Sequence, residues 1–196
     1  MLKQAELIKQ MSSDQLKKQL YFSQSLLLFI SLLLSVFLFD SMTDWFLIIQ
    51  WNLNQILIYG VLSGIVIVLM DICFLLFLPK RLYDDGGINV KIFSERKIHE
   101  IFFIAFFVSI SEEMLFRGVL QTEFGYIFAS LIFTIVHVRY LVKPVLCIVV
   151  LLLSFWLGYL FEVTNNLLVP IVAHFIIDFC LAILIRGNSK GVFSYD

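Results

Sequence analysis

Six apolar stretches of seventeen to twenty-three residues follow one another along the chain: Tyr21 to Phe39, Ile56 to Leu78, Ile101 to Leu120, Tyr126 to Val142, Pro144 to Leu160 and Leu167 to Ile185. A helix rising 1.5 Å per residue needs about 20 residues to cross a hydrocarbon core about 30 Å thick. With 61% of its 196 residues hydrophobic, the chain reads as an all-α polytopic membrane protein of about six transmembrane helices. Lysine and arginine test that topology independently. Thirteen of the fourteen fall in the N-terminal segment, in the loop from Lys80 to Lys97, around Arg139 and Lys143, or in the tail. Neither Asp40 to Gln55 nor Phe161 to Asn166 has any. Basic residues gather on the cytoplasmic side, so both termini are expected there. The exception is Arg117, inside the third stretch, which needs a partner within the protein.

The domain organisation expected is a cytoplasmic N-terminal segment (1–20), two membrane helices with a cytoplasmic loop (21–98), a catalytic set of helices (99–186) and a cytoplasmic tail (187–196). No small-residue cleavage site follows the first apolar stretch, so that stretch is expected to stay as an anchor. Trp45 and Trp51 suit an outer interfacial segment. Asp84-Asp85-Gly86-Gly87 is a turn signal, and the basic stretch after it reads as a solvated loop near anionic lipid. Cys73, Cys147 and Cys180 lack metal-ligand spacing and read as small hydrophobes. A net charge of −1 gives no reason to expect nucleic acid as a partner.

Chemistry concentrates in the third stretch. Glu112, Glu113 and Arg117 lie among apolar residues, where charges are costly unless paired or used. Glu112 would sit about 16 Å from Ile101, near mid-bilayer. His137 in the fourth stretch, and His174 and Asp178 in the sixth, fall at overlapping depths. Adjacent helical residues point about 100° apart, so the two glutamates take different roles. Glu113 and Arg117, at i and i+4, are expected to form a supporting ion pair. Glu112 is left to face a cavity, where with His137 it would be a base for water. His174 and Asp178, also i and i+4, could orient an imidazole or donate to an oxyanion.

Glu112-Glu113-Met-Leu-Phe-Arg117 resembles the EExxxR motif of the CPBP (Abi) family, which holds the type II CAAX prenyl endopeptidases and their prokaryotic relatives. Phe133-Thr-Ile-Val-His137 is similar to that family's FxxxH, and His174-Phe-Ile-Ile-Asp178 to its HxxxN/D. The three occur in the family's order over nearly half the chain. The resemblance implies an intramembrane endopeptidase in which Glu112 and His137 activate water while His174 and Asp178 stabilise the tetrahedral intermediate. It also implies a membrane-associated peptide or protein as substrate. The short chain looks like a prokaryotic plasma-membrane protein.

No cofactor is expected. The alternative is a zinc metalloendopeptidase with Glu112, His137 and His174 as ligands and one open position, although no HExxH motif follows His99-Glu100. No GxGD pairs with a second membrane aspartate, and no GxSx precedes a suitable histidine. A non-catalytic adaptor or bacteriocin-immunity protein is the competing class, and a transporter or proton channel is a weaker one. His99 reads as an edge residue, and Asp71, deep in the second stretch, as a hydrogen-bonding residue between helices.

Overall fold

The computed structural model describes residues 10–77, 79, 85–141 and 143–189. Lys3, Lys9, Leu78, Lys80, Arg81, Asp84, Val142 and Lys190, which enter the expectations above, lie outside the described residues. Among the described residues all regular structure is helical. α1 (Ser13–Leu38) opens with a capping box, in which Ser12 and Gln15 each satisfy the other's backbone N–H. The polar N-terminal segment therefore runs into the first apolar helix without a break at residue 20. After the short α2 (Asp44–Ile48) comes α3 (Leu53–Phe77), which contains an i→i+5 stretch, Ile56–Leu62. α4 (Ile88–Phe93) precedes α5 (98–124), α-helical over Ile98–Glu113 and i→i+5 bonded over Met114–Gln121. α6 (Tyr126–Val136), α7 (Val138–Leu141), α8 (Pro144–Thr164) and α9 (Leu168–Ser189) complete the chain.

Side-chain contacts set the helix directions. Lys17 meets Glu100, Tyr21 meets Phe107 and Gln24 meets Glu112, so α1 and α5 run parallel. Phe102 meets Phe179 and Glu113 meets His174, so α9 runs against α5. Arg117 reaches Ser154 and Gln121 reaches Gly158, which makes α8 parallel to α5. Tyr126 reaches Phe155 and Ser154 reaches Ser130, so α6 opposes α8. Gly60 and Gly64 face Val169 and Ala173, so α3 follows α9. Successive long helices thus alternate in direction. At one end Arg96 donates to Ser13 and Asp14 (2.8 Å each), and Arg186 donates to the Arg96 carbonyl (2.7 Å). That clasp gathers the starts of α1 and α5 with the end of α9.

Among the described residues, four helices are long and apolar enough to cross a membrane: Ser13–Leu38, Leu53–Phe77, Pro144–Thr164 and Leu168–Asn188. α5 has the length but carries three charges in its middle. α6 departs from the expected seventeen-residue span, since it stops after eleven residues, at His137. The cause is local. His137 Nδ1 bonds the Phe133 carbonyl at 2.7 Å, the acceptor that its own backbone N–H would use in a continuing helix. That N–H bonds Thr134 instead, at 3.2 Å, and the backbone leaves helical geometry.

Two further expectations change. Ile88 and Ile92 of α4 pack with Leu16, so part of the basic loop is a docked helix and not merely solvated chain. Trp45 is buried, donating to Ser35 (3.2 Å) and lying over Gly118, where a Cβ would come within 2.6 Å of its ring. Trp51 stays exposed.

Gly60 and Gly64 form a GxxxG pair that brings α3 against the α9 backbone. A Cβ on Gly64 would lie 3.0 Å from the Ala173 carbonyl and 3.1 Å from Ile176. Gly64→Leu should therefore destabilise the purified protein by about 1–3 kcal/mol, read from thermal unfolding in detergent. Leu62→Ala on the exposed face should stay within about 0.5 kcal/mol. Equal effects of the two would contradict this packing.

Candidate active site

α5 presents Glu112 and Glu113 just before its backbone widens to the i→i+5 pattern at Met114. Such segments inside α-helices recur at functional sites. Counting from Ile98, Glu112 lies about 21 Å along the helix. All three charged residues are buried, Arg117 completely.

Arg117 has two helices' worth of partners besides its own. Its Nη1 donates to Glu113 Oε1 (3.2 Å) and its Nη2 to the carbonyl (2.8 Å) and Oγ (3.2 Å) of Ser154 on α8. Its Nε lies 3.2 Å from Glu113 Oε2, close as charges but not aligned as a hydrogen bond. The guanidinium also stacks on Phe133 of α6, 4.6 Å from the ring centre. Glu113 is shared, because its Oε1 accepts from His174 Nδ1 of α9 at 2.7 Å. The supporting ion pair read from i,i+4 spacing is thus the middle of a chain, Ser154–Arg117–Glu113–His174. Asp178 stands 3.5 Å from His174 Nε2 and is partly exposed.

Glu112 points elsewhere. Its Oε1 accepts from Gln24 Nε2 of α1 (2.9 Å), and its Oε2 stands 3.9 Å from His137 Nε2. The Phe133 carbonyl can only accept, so His137 Nδ1 carries hydrogen and a neutral ring would offer its lone pair at Nε2. In that tautomer two acceptors face each other across a gap. The Phe133 ring lies beside both imidazoles, with centroids 4.6 Å from His137 and 6.2 Å from His174. One aromatic wall joins the Glu112–His137 pair to the Glu113–Arg117–His174–Asp178 chain.

Glu112, His137 and His174 do not converge as metal ligands in this arrangement. Both ring nitrogens of His174 face carboxylates, Glu113 and Asp178. Among the described residues, no three His, Cys, Asp or Glu side chains gather closely enough to hold an ion. Asp71, half-buried on α3, makes no hydrogen bond or ion pair among the described residues, so the expected helix-bridging bond is not seen. His99 is exposed at the start of α5.

Two contributors went unread in the sequence, Gln24 and Ser154. Gln24 carried a signal, since the buried polar residues of α1 (Gln24, Ser31 and Ser35) share one helical face. Polar groups inside a membrane turn toward protein. Ser154 carried none, because it serves chiefly through its backbone carbonyl.

Comparison with known proteins agrees with the motif reading. The family described as type II CAAX prenyl endopeptidase Rce1-like matches residues 95–180. A Bacillus subtilis (strain 168) protein named "Uncharacterized protein YpbD" is 45% identical over 166 residues, spanning 84% of this chain and 87% of the relative. No solved structure gives a significant match.

Removing the guanidinium would leave the buried Glu113 with His174 as its remaining partner. Arg117→Met should cost about 3–5 kcal/mol of stability. Adding Glu113→Gln should recover part of that loss, giving a coupling of about 1–3 kcal/mol in a double-mutant cycle. Additive losses measured by unfolding in detergent would contradict the shared network.

Proposed function

The chain belongs to the Rce1-like family of type II CAAX prenyl endopeptidases, and on that footing we propose that it hydrolyses a peptide bond within the membrane, using water activated by Glu112 and His137 without a metal. The observation that carries the reading is the 3.9 Å gap between Glu112 Oε2 and His137 Nε2. With His137 neutral, the buried Glu112 carboxylate and the partly exposed Nε2 are two acceptors face to face, an unfavourable arrangement unless something between them donates. A water about 2.8 Å from both would subtend an angle of about 90°, close enough to its own geometry to give one hydrogen to each.

The water oxygen then has lone pairs free for the scissile carbonyl. As it attacks, its proton passes to Glu112 and the carbonyl oxygen becomes an oxyanion. His174, held at Nδ1 by Glu113, offers its Nε2–H to that oxyanion. Glu112 returns the proton to the leaving amine, the C–N bond breaks, and the carboxyl product departs. Asp178, 3.5 Å from that Nε2, serves as the polar neighbour that orients the ring beside the oxyanion, a contact asparagine can keep and leucine cannot.

Four helices among the described residues that are long and apolar enough to cross a membrane, together with the family, make this an integral membrane protein. Six crossings, with the basic end and both termini in the cytoplasm, are supported by the alternating helix directions. The substrate is a membrane-associated peptide or protein that reaches the site sideways or from the basic end. The Bacillus relative supports a prokaryotic plasma membrane. A prenylated tail is not required by the site.

Detergent-purified protein should cleave membrane-associated fluorogenic peptides in the presence of a strong chelator. Glu112→Ala and His137→Ala should each lose at least about 10²-fold in rate. Asp178→Asn should stay within about tenfold of wild type, and Asp178→Leu should fall by about 10²-fold or more. Loss on chelation with recovery on zinc would replace this mechanism by a metalloprotease. Full in-cell complementation by Glu112→Ala would replace it by a binding role, as in an adaptor or bacteriocin-immunity protein.

A further inference from the structure

α1 lies outside the family-matched residues 95–180, yet it sends one polar side chain to the site. Gln24 is only 8% exposed, and its Nε2 donates to Glu112 Oε1 at 2.9 Å. The amide cannot turn over, because its carbonyl would then face a carboxylate, acceptor against acceptor. In the orientation it holds, Gln24 Oε1 is buried with no hydrogen-bond partner. A buried, unpaired acceptor carries a desolvation cost. Packing does not explain why the helix bears it, since an apolar side chain of similar length would fill the same face. Ser31 and Ser35, the other buried polar residues of α1's apolar stretch, donate to carbonyls of their own helix at 2.9 Å each. Gln24 differs from both in donating to another helix, at the carboxylate beside His137.

We propose that Gln24 is a positioning residue for Glu112, an inference that rests on Glu112 being the base. The terminal torsion of a glutamate is soft and broadly two-fold. Fixing Oε1 on Gln24 turns Oε2 toward His137 and holds the gap that a bridging water needs. Without the amide N–H the carboxylate rotates away from the water, and an error near 1 Å in that position is enough to slow the reaction greatly. The active site therefore draws on α1 as well as on the helices that carry the three motifs.

Gln24→Met tests this, because methionine matches the length and lacks both the donor and the unpaired carbonyl. Its unfolding temperature should stay close to that of wild type, because loss of the bond to Glu112 is offset by removal of the unpaired carbonyl. With an active wild type, kcat should fall about 10- to 100-fold while KM stays within about twofold. A second readout needs no substrate. Dicyclohexylcarbodiimide reacts with carboxyls in apolar surroundings through an oxygen it can reach, and the Gln24 amide occupies Glu112 Oε1. Labelling of Glu112, measured by mass spectrometry in full-length protein, should rise at least about threefold in Gln24→Met once that oxygen is free. Unchanged kcat beside an active wild type, or unchanged labelling, would overturn the proposal. So would a large loss of stability in Gln24→Met, which marks a packing role. If the wild type cleaves nothing, the reading of Glu112 as base fails separately, and the labelling still decides whether Gln24 fixes its carboxylate.

Discussion

A guanidinium with no exposure to solvent holds the centre of this protein. Arg117 can stay charged among apolar helices only because Glu113, the Ser154 carbonyl and the Phe133 ring surround it. Each of those partners lies on or leads to a different helix, so satisfying one charge draws α5, α6 and α8 together. Glu113 then extends the chain to His174 and α9. Membrane helices have little hydrophobic reason to associate, and packing and polar contacts must do that instead. The GxxxG pair on α3 supplies packing of the first kind, and the Arg117 chain supplies contacts of the second.

That scaffold leaves Glu112 as the buried carboxylate of α5 not engaged by it. One residue separates the two roles, and the helix turn between them sends Glu112 toward α1 and α6 while Glu113 faces Arg117 and α9. His137 meets Glu112 because α6 ends there. Its own Nδ1 takes the carbonyl that would have continued the helix. The same bond fixes which nitrogen a neutral ring protonates and turns Nε2 toward Glu112. A helix end, a ring orientation and a tautomer thus follow from one hydrogen bond, and the proposed chemistry depends on all three.

Much of this was legible in the chain. Apolar run lengths and the lysine and arginine pattern pointed to a helical membrane protein, because bilayer thickness and backbone hydrogen bonding leave few other solutions. The intramembrane charges pointed to the site, because nothing else in a bilayer explains them cheaply. Spacing also anticipated the Glu113–Arg117 pair. It could not show that Glu113 has a third partner, since His174 lies sixty-one residues away and such a contact exists only in the packed bundle. The break at His137 was hidden because no glycine or proline marks it; a side chain competing for a backbone carbonyl is invisible to hydropathy. Trp45 was read as interfacial from its residue type, and only Gly118 on the facing helix lets it sink into the core. Leu16, Ile88 and Ile92 show the same limit, since a short basic stretch became a docked helix by finding an apolar partner far away in sequence.

What occupies the space between Glu112 and His137 decides the proposed mechanism. An experimental structure in a lipid nanodisc, at a resolution that shows ordered water and with anomalous scattering recorded at the zinc edge, tests this directly. A single water within about 3 Å of both Glu112 Oε2 and His137 Nε2, with no anomalous peak, is the result predicted. A metal ion bonded to these two residues, or a direct Glu112–His137 hydrogen bond with no room for water, would contradict it.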